Sequence, residues 1–174
     1  MGVWGQMIRA IAILPGMVLV VVPAYLLHAT RNLNPGWSLP APWSVATIAA
    51  GALLILLGLS LMAGTIRLFV AVGRGTLAPW DPTQRLVVRG PYRRVRNPMI
   101  SGVLCVLLGE GILLGSVVLL AWFSFFALIN FIYIPLGEEP GLLRRFGEDY
   151  RIYRSNVPRW IPRGTPWQPP WEGS

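Results

Sequence analysis

The chain has no lysine, one cysteine, one histidine and only seven acidic residues. A lone cysteine, Cys105, excludes an intrachain disulfide, and its place inside an apolar run gives it a packing role. The lone histidine, His28, has no second ring with which to share a metal, so it reads as an interfacial residue and no metal site is expected. The scarcity of charge, 13% against 54% hydrophobic residues, excludes an ordinary soluble domain. All 15 basic residues are arginine, a bias that a GC-rich genome explains, and the net charge of +8 sits on groups suited to bidentate contacts. The arginines cluster beside apolar blocks, which argues against nucleic acid and for the basic face of a membrane protein with its anionic lipids.

What is present is a set of long apolar blocks. Ile8 to His28 holds about 21 residues with charge only near its ends, enough for a first span. It is too long for a signal peptide, and no small-residue cleavage site follows it. Pro15 and Pro23 are tolerated within a bundle, where neighbouring helices re-satisfy freed carbonyls. A loop with Asn34-Pro35-Gly36, Pro40 and Pro42 leads to a second span from Ser44 to Val72. Its small residues Ala49, Ala50, Gly51, Gly58, Ser60, Ala63 and Gly64 let helices approach closely, and Arg67 snorkels from its far end. Met99 to Pro135 is an apolar run of about 37 residues, too long for one crossing. Gly115-Ser116 divides it into a tight transmembrane hairpin with arms of roughly 16 and 19 residues.

The expected fold is therefore an all-α integral membrane protein with about four transmembrane helices and, beyond them, an interfacial amphipathic helix. In that last helix Leu142, Leu143, Phe146, Tyr150 and Tyr153 recur at helical spacing until Pro158 and Pro162 end it. Arginines decide the orientation: one in the loop after the first span, none at the hairpin turn, six from Arg74 to Arg96 and six from Arg144 to Arg163. Both termini and the basic loop thus fall in the cytoplasm, as in a multi-pass protein of a bacterial inner membrane. Glu110, the one acid within a span, reads as a polar clasp between helices. The chain divides into two N-terminal spans (1–72), a core of loop, hairpin and interfacial helix (73–163) and an irregular, Trp-rich tail (164–174).

The organising stretch is Arg85-Leu86-Val87-Val88-Arg89-Gly90-Pro91-Tyr92, followed by Arg96-Asn97-Pro98 and the hairpin. After the hairpin come Glu138-Glu139-Pro140-Gly141-Leu142, then Phe146-Gly147 with Tyr150 and Tyr153, then Val157-Pro158-Arg159. This ordered set, over about Gly75 to Ile161, resembles the isoprenylcysteine carboxyl methyltransferase family and, more distantly, phospholipid N-methyltransferases. The resemblance implies an S-adenosylmethionine-dependent methyl transfer to a lipid-soluble or small acceptor, with the cofactor in a cytoplasm-facing pocket. It carries cofactor contacts to Gln84, Arg85, Leu86, Val87, Tyr92, Asn97, Pro98, Met99, Ile100 and Glu138, with Arg96 as a further donor, and it assigns no catalytic base and no metal. Three positions depart from the family pattern: Asn97 and Ile100 replace a histidine and a tyrosine, and Ile134 replaces the arginine that meets a prenylcysteine carboxylate. Two other readings stay open, a non-catalytic lipid-binding protein on the same scaffold and a membrane reductase of the sterol-reductase type with a nicotinamide cofactor. Calorimetry with S-adenosylmethionine against NADPH separates the three.

Overall fold

The computed structural model describes residues 13, 15–33, 36–73 and 85–172. Among these residues all regular structure is helical. The four main apolar segments are α1 (Met17–Ala29, its first turn π-helical), α2 (Trp43–Leu68), α3 (Pro98–Leu114) and α4 (Val117–Tyr133). A π-helical turn, Ile134–Glu138, leads from α4 into α5 (Glu139–Asn156). Two continuous helical stretches, Trp43–Val72 and Val117–Asn156, are long and apolar enough to cross a membrane, while Met17–Ala29 and Pro98–Leu114 are shorter. The 17 residues of α3 rise about 25 Å, just under a hydrocarbon core of about 30 Å.

The hairpin forms where the small residues predict it. Proline at the first position of α3 loses no helical hydrogen bond, because that N–H is unpaired in any helix. At the other end Gly115 adopts φ 61°, a left-handed conformation that costs a side-chain-bearing residue more than glycine. Ser116 N–H then donates to Gly111 at 3.0 Å and Gly115 N–H to Ile112 at 3.3 Å, closing the last carbonyls of α3. The fully buried Ser116 starts α4, its hydroxyl accepting from Leu119 N–H at 3.3 Å. Trp37 seals this end by donating its indole N–H to Ile112 O at 2.8 Å.

Close approach of α2 and α3 sets the bundle. A Cβ on Gly58 would lie 2.5 Å from Gly102 O, and one on Gly102 would lie 2.9 Å from Gly58 O. Gly51 and Gly109 are related in the same way, at 2.8 and 2.7 Å. Two pairs of glycines, each seven residues apart on its own helix, let the antiparallel backbones touch, and this dispersion contact holds helices in lipid where burial against water cannot. Gly64, in contrast, faces open space. Beside the seam, Leu19, Met62, Val103, Val106 and Leu107 form the core, with Trp122 of α4 packed on it and donating to Val18 O of α1 at 3.1 Å. Leu53, Leu56, Leu57, Leu128 and Ile132 stay exposed on the outer faces, the pattern of a bundle whose solvent is lipid.

The seam makes a discriminating prediction. Gly58→Ala and Gly109→Ala should each destabilise the detergent-solubilised protein by roughly 1–3 kcal/mol through overpacking. Gly64→Ala should stabilise by up to about 1 kcal/mol through helix propensity. Equal unfolding midpoints for all three variants in a denaturant titration would mean that the glycine seam does not hold the bundle.

Candidate functional site at the basic end of the bundle

The hairpin topology brings the start of α3 and the end of α4 to one end of the bundle, where α2 also finishes. The loop before α3 and the chain after α4 therefore meet there. A short 3-10 turn, Gly90–Arg93, opens with Gly90 at φ 55° and buries Tyr92, whose ring lies 5.7 Å from that of Phe69 just beyond α2. From the other side, Tyr153 of α5 donates its hydroxyl to Tyr92 O at 2.8 Å. Val88, Tyr150, Tyr153 and Val157 form a second core, with Leu86, Leu142, Leu143, Phe146 and Trp167 packed around it. Tyr150 and Tyr153 are thus interior residues of a cap, not interfacial anchors.

The segment after α5 is stitched onto the loop. Arg96 N–H donates to Pro158 O at 2.9 Å, Arg163 N–H to Arg94 O at 3.0 Å and Trp167 N–H to Arg93 O at 2.8 Å. Side chains add to the backbone pairing: Arg94 Nη1 donates to Gly164 O at 2.7 Å and Asn97 Nδ2 to Arg159 O at 3.3 Å. Trp160 stacks on Phe131 of α4 with ring centroids 4.4 Å apart, so the same segment is tied to the bundle.

At the centre lies a buried carboxylate. Glu139 is 4% exposed and accepts from Arg159 Nε at 2.7 Å and Arg159 Nη2 at 2.9 Å, a bidentate grip. Arg96 Nη1 reaches the same carboxylate at 2.9 Å and lies 3.4 Å from the Tyr150 hydroxyl. The Arg96 side chain is 9% exposed, and its Nε–H is buried with no acceptor among the described residues. Burial pushes the phenols of Tyr92, Tyr150 and Tyr153 above the usual tyrosine range, so all three are neutral hydroxyl donors at neutral pH. Glu138 differs from its neighbour in being exposed. The protein around it and then the negative charge of Glu139 still push its carboxyl above the ordinary glutamate range, a shift that its open surface moderates.

The expected cofactor positions fall as follows. Gln84 lies outside the described residues. Arg85 is exposed, Leu86 is half-buried on the cap core, and Val87 and Tyr92 are buried. Asn97, Met99 and Ile100 are half-buried around the buried Pro98, with Met99 Sδ accepting from Thr65 Oγ1 at 3.2 Å. Tyr92 and Asn97 bond directly to the segment after the hairpin, at Tyr153 and Arg159. Glu139 and Arg159 stand in the motif strings of the sequence, which assign them no contact, and the structure joins them at the centre of the cap. The sequence holds no signal that picks out Glu139, since the neighbour that turns inward with it, Ile134, is known to be buried (1% exposed) only from the structure. In an α-helix the residue four on, Glu138, would share the face of Ile134, but the π-turn closes Glu139 N–H onto Ile134 O and brings the fifth residue round instead.

The buried pair gives a stability prediction. Glu139→Ala leaves Arg96 without its carboxylate under the cap and should cost about 3 kcal/mol or more. Glu148→Ala, which removes an exposed pair with Arg151, should cost under about 1 kcal/mol. Denaturant unfolding followed by tryptophan fluorescence compares the two, and equal losses would refute a structural role for Glu139.

Comparison with known proteins places these elements in context. Residues 46–149, about three fifths of the chain, match the phospholipid methyltransferase family, a family that includes the isoprenylcysteine carboxyl methyltransferases. No curated protein matches the chain. The matched region spans the glycine seam, the loop, the hairpin and the first part of α5, and it ends before Tyr150, Tyr153 and Arg159, which complete the cap. With one continuous match over more than half of its length, the chain belongs to the phospholipid methyltransferase family, whose general activity is methyl transfer at a membrane.

Proposed function

We propose that the protein is an S-adenosylmethionine-dependent methyltransferase that modifies a lipid-soluble or small acceptor at the basic end of its bundle. The observation that carries this reading is convergence. The loop from Leu86 to Asn97 and the chain from Glu138 to Arg159, separated in sequence by the whole hairpin, are hydrogen-bonded together at one end of the bundle. Family membership supplies methyl transfer as the activity, and the convergent segments carry the residue types that an adenosyl sulfonium needs.

Such a donor has an adenine, a ribose diol and an amino-acid end, and it asks for an apolar wall, an acceptor for an ammonium and donors for oxygen. The residues present fit. Leu86 offers an apolar wall packed on an aromatic core, with the buried Val87 next to it in the chain, Glu138 an open carboxylate, and the stretch Asn97–Ile100 the start of a helix. In this reading Gln84 to Val87, Tyr92, Asn97 to Ile100 and Glu138 hold the donor. S-adenosylmethionine supplies an electrophilic methyl group when bound. The protein's own task is to hold acceptor and methyl in line and to exclude water, which a cap closed by neutral tyrosines and a buried ion pair does without a metal or a dedicated base.

The acceptor side is lipid-facing. An apolar groove of about 410 Å³ runs along α4 between Ile129, Ile132, Tyr133, Leu136 and Gly137, ending one residue before Glu138. Leu136 beside it is 74% exposed. This placement supports sideways delivery of a lipophilic acceptor from the bilayer. The proposal includes four membrane crossings, with the basic end and both termini cytoplasmic, on the arginine asymmetry.

Isothermal titration of the detergent-purified protein tests the reading. S-adenosylmethionine should bind and NADPH should not, and absence of binding at millimolar S-adenosylmethionine would sink the proposal. Glu138 must be ionised to accept from the ammonium, and its folded pKa is raised. Wild-type affinity should therefore fall as pH is lowered, beginning above the ordinary glutamate range. Glu138→Gln should bind about tenfold more weakly and show no such fall.

A further inference from the structure

The ion pair with Glu139 uses only part of Arg96. Its Nη1 is engaged, but its Nε–H is buried without an acceptor among the described residues, in a side chain more than nine-tenths buried. Buried guanidinium N–H groups are strongly driven to find an oxygen, because water is excluded and the charge remains. Charge balance points the same way. One carboxylate, Glu139, serves two guanidiniums, the buried Arg96 and the partly exposed Arg159, so the triad itself carries a net positive charge. A third observation comes from α3, which begins two residues after Arg96. Asn97 makes no side-chain capping bond there and instead donates its amide to Arg159 O. The positive end of the α3 dipole and its unpaired first-turn N–H groups thus add to the field around Arg96.

We infer that Arg96 Nε–H, beside the uncapped start of α3, receives the carboxylate of the methyl donor's amino-acid end. The assignment rests on the S-adenosylmethionine reading and deepens it. Glu138, exposed and in the same cluster, is left to meet the ammonium, so a zwitterion is read by opposite charges from the two sides of the hairpin. Glu139 is then a positioning residue: it fixes the guanidinium plane through Nη1 and leaves Nε for the ligand. Arg159 shares that carboxylate and turns Nε and Nη2 to Glu139, so its bidentate face is committed to the structural pair.

The test compares S-adenosylmethionine with its decarboxylated analogue, which keeps the sulfonium and the amine, by calorimetry on the full chain in nanodiscs. The wild type should prefer the intact donor by about tenfold or more, the range of a charge-assisted hydrogen bond. Arg96→Lys, which keeps a cation for Glu139 but has no Nε–H fork, should lose most of that preference while binding the analogue as the wild type does. Arg159→Lys should keep the preference. A wild-type ratio near one overturns the assignment and leaves the donor reading intact, and it does so even where the Arg96 variant fails to fold. A full preference retained in folded Arg96→Lys overturns it equally. Failure of the wild type to bind either compound removes the donor reading and this assignment together.

Discussion

The basic end of the protein depends on one buried carboxylate. Glu139 sits where α4 passes into α5, Arg96 just before α3 and Arg159 just after α5, so three distant stretches are joined at a single pair of oxygens. The net worth of a buried ion pair is small, because desolvation takes back most of the Coulombic gain. Its geometric consequence is larger. A bidentate guanidinium has one good orientation, and with Arg159 fixed to Glu139 the backbone from Val157 onward is brought beside Arg93 to Asn97, where it forms the hydrogen bonds that close the cap. The ion pair chooses the register, and the backbone bonds and the Tyr150–Tyr153 core supply the cohesion.

That cap can be held only because the hairpin under it is stiff. The α2–α3 seam allows no Cβ at Gly51, Gly58, Gly102 or Gly109, so the two helices have one mutual position along much of their length. The position of Pro98 relative to the end of α2 follows, and with it the place of Tyr92 against Phe69. At the far end the buried Ser116 and the left-handed Gly115 fix where α4 turns back, which sets where Glu139 arrives. Rigid packing in lipid is thus converted into alignment at the polar end.

Much of this was legible in the sequence, and the reasons are specific. Apolar blocks read as helices because burial in lipid requires every backbone group to bond internally. The Gly115-Ser116 turn is one of few small, helix-ending pairs in its run, and it divides the hairpin as expected. Small residues on α2 indicated close packing, but only Gly51 and Gly58 meet α3, while Gly64 faces outward, since composition does not state which face a partner occupies. The adjacent Glu138 and Glu139 could not be told apart by helical spacing. A π-turn adds one residue to the turn, and proline at position 135, which has no N–H to donate, favours that widening. Arg159 lay in a recognisable Val-Pro-Arg string, yet its partner 20 residues away is fixed by tertiary packing alone.

The same extra residue explains how two neighbouring glutamates come to differ. In an uninterrupted α-helix, Glu138 would follow Ile134 inward, and Glu139 would point about 100° away toward solvent. The π-turn exchanges them: Glu139 turns into the guanidinium pair and Glu138 remains open, directly beyond the lipid-facing groove that ends at Gly137. One acid is thereby committed to structure and the other left available at the junction of apolar groove and basic cap. The transfer proposed above, from a charged donor to a lipophilic acceptor, has to bring the two to one point. Only at a bilayer boundary can both be held without burying charge in hydrocarbon, and in the proposed topology the helical defect at Ile134–Glu138 places an ionisable side chain there.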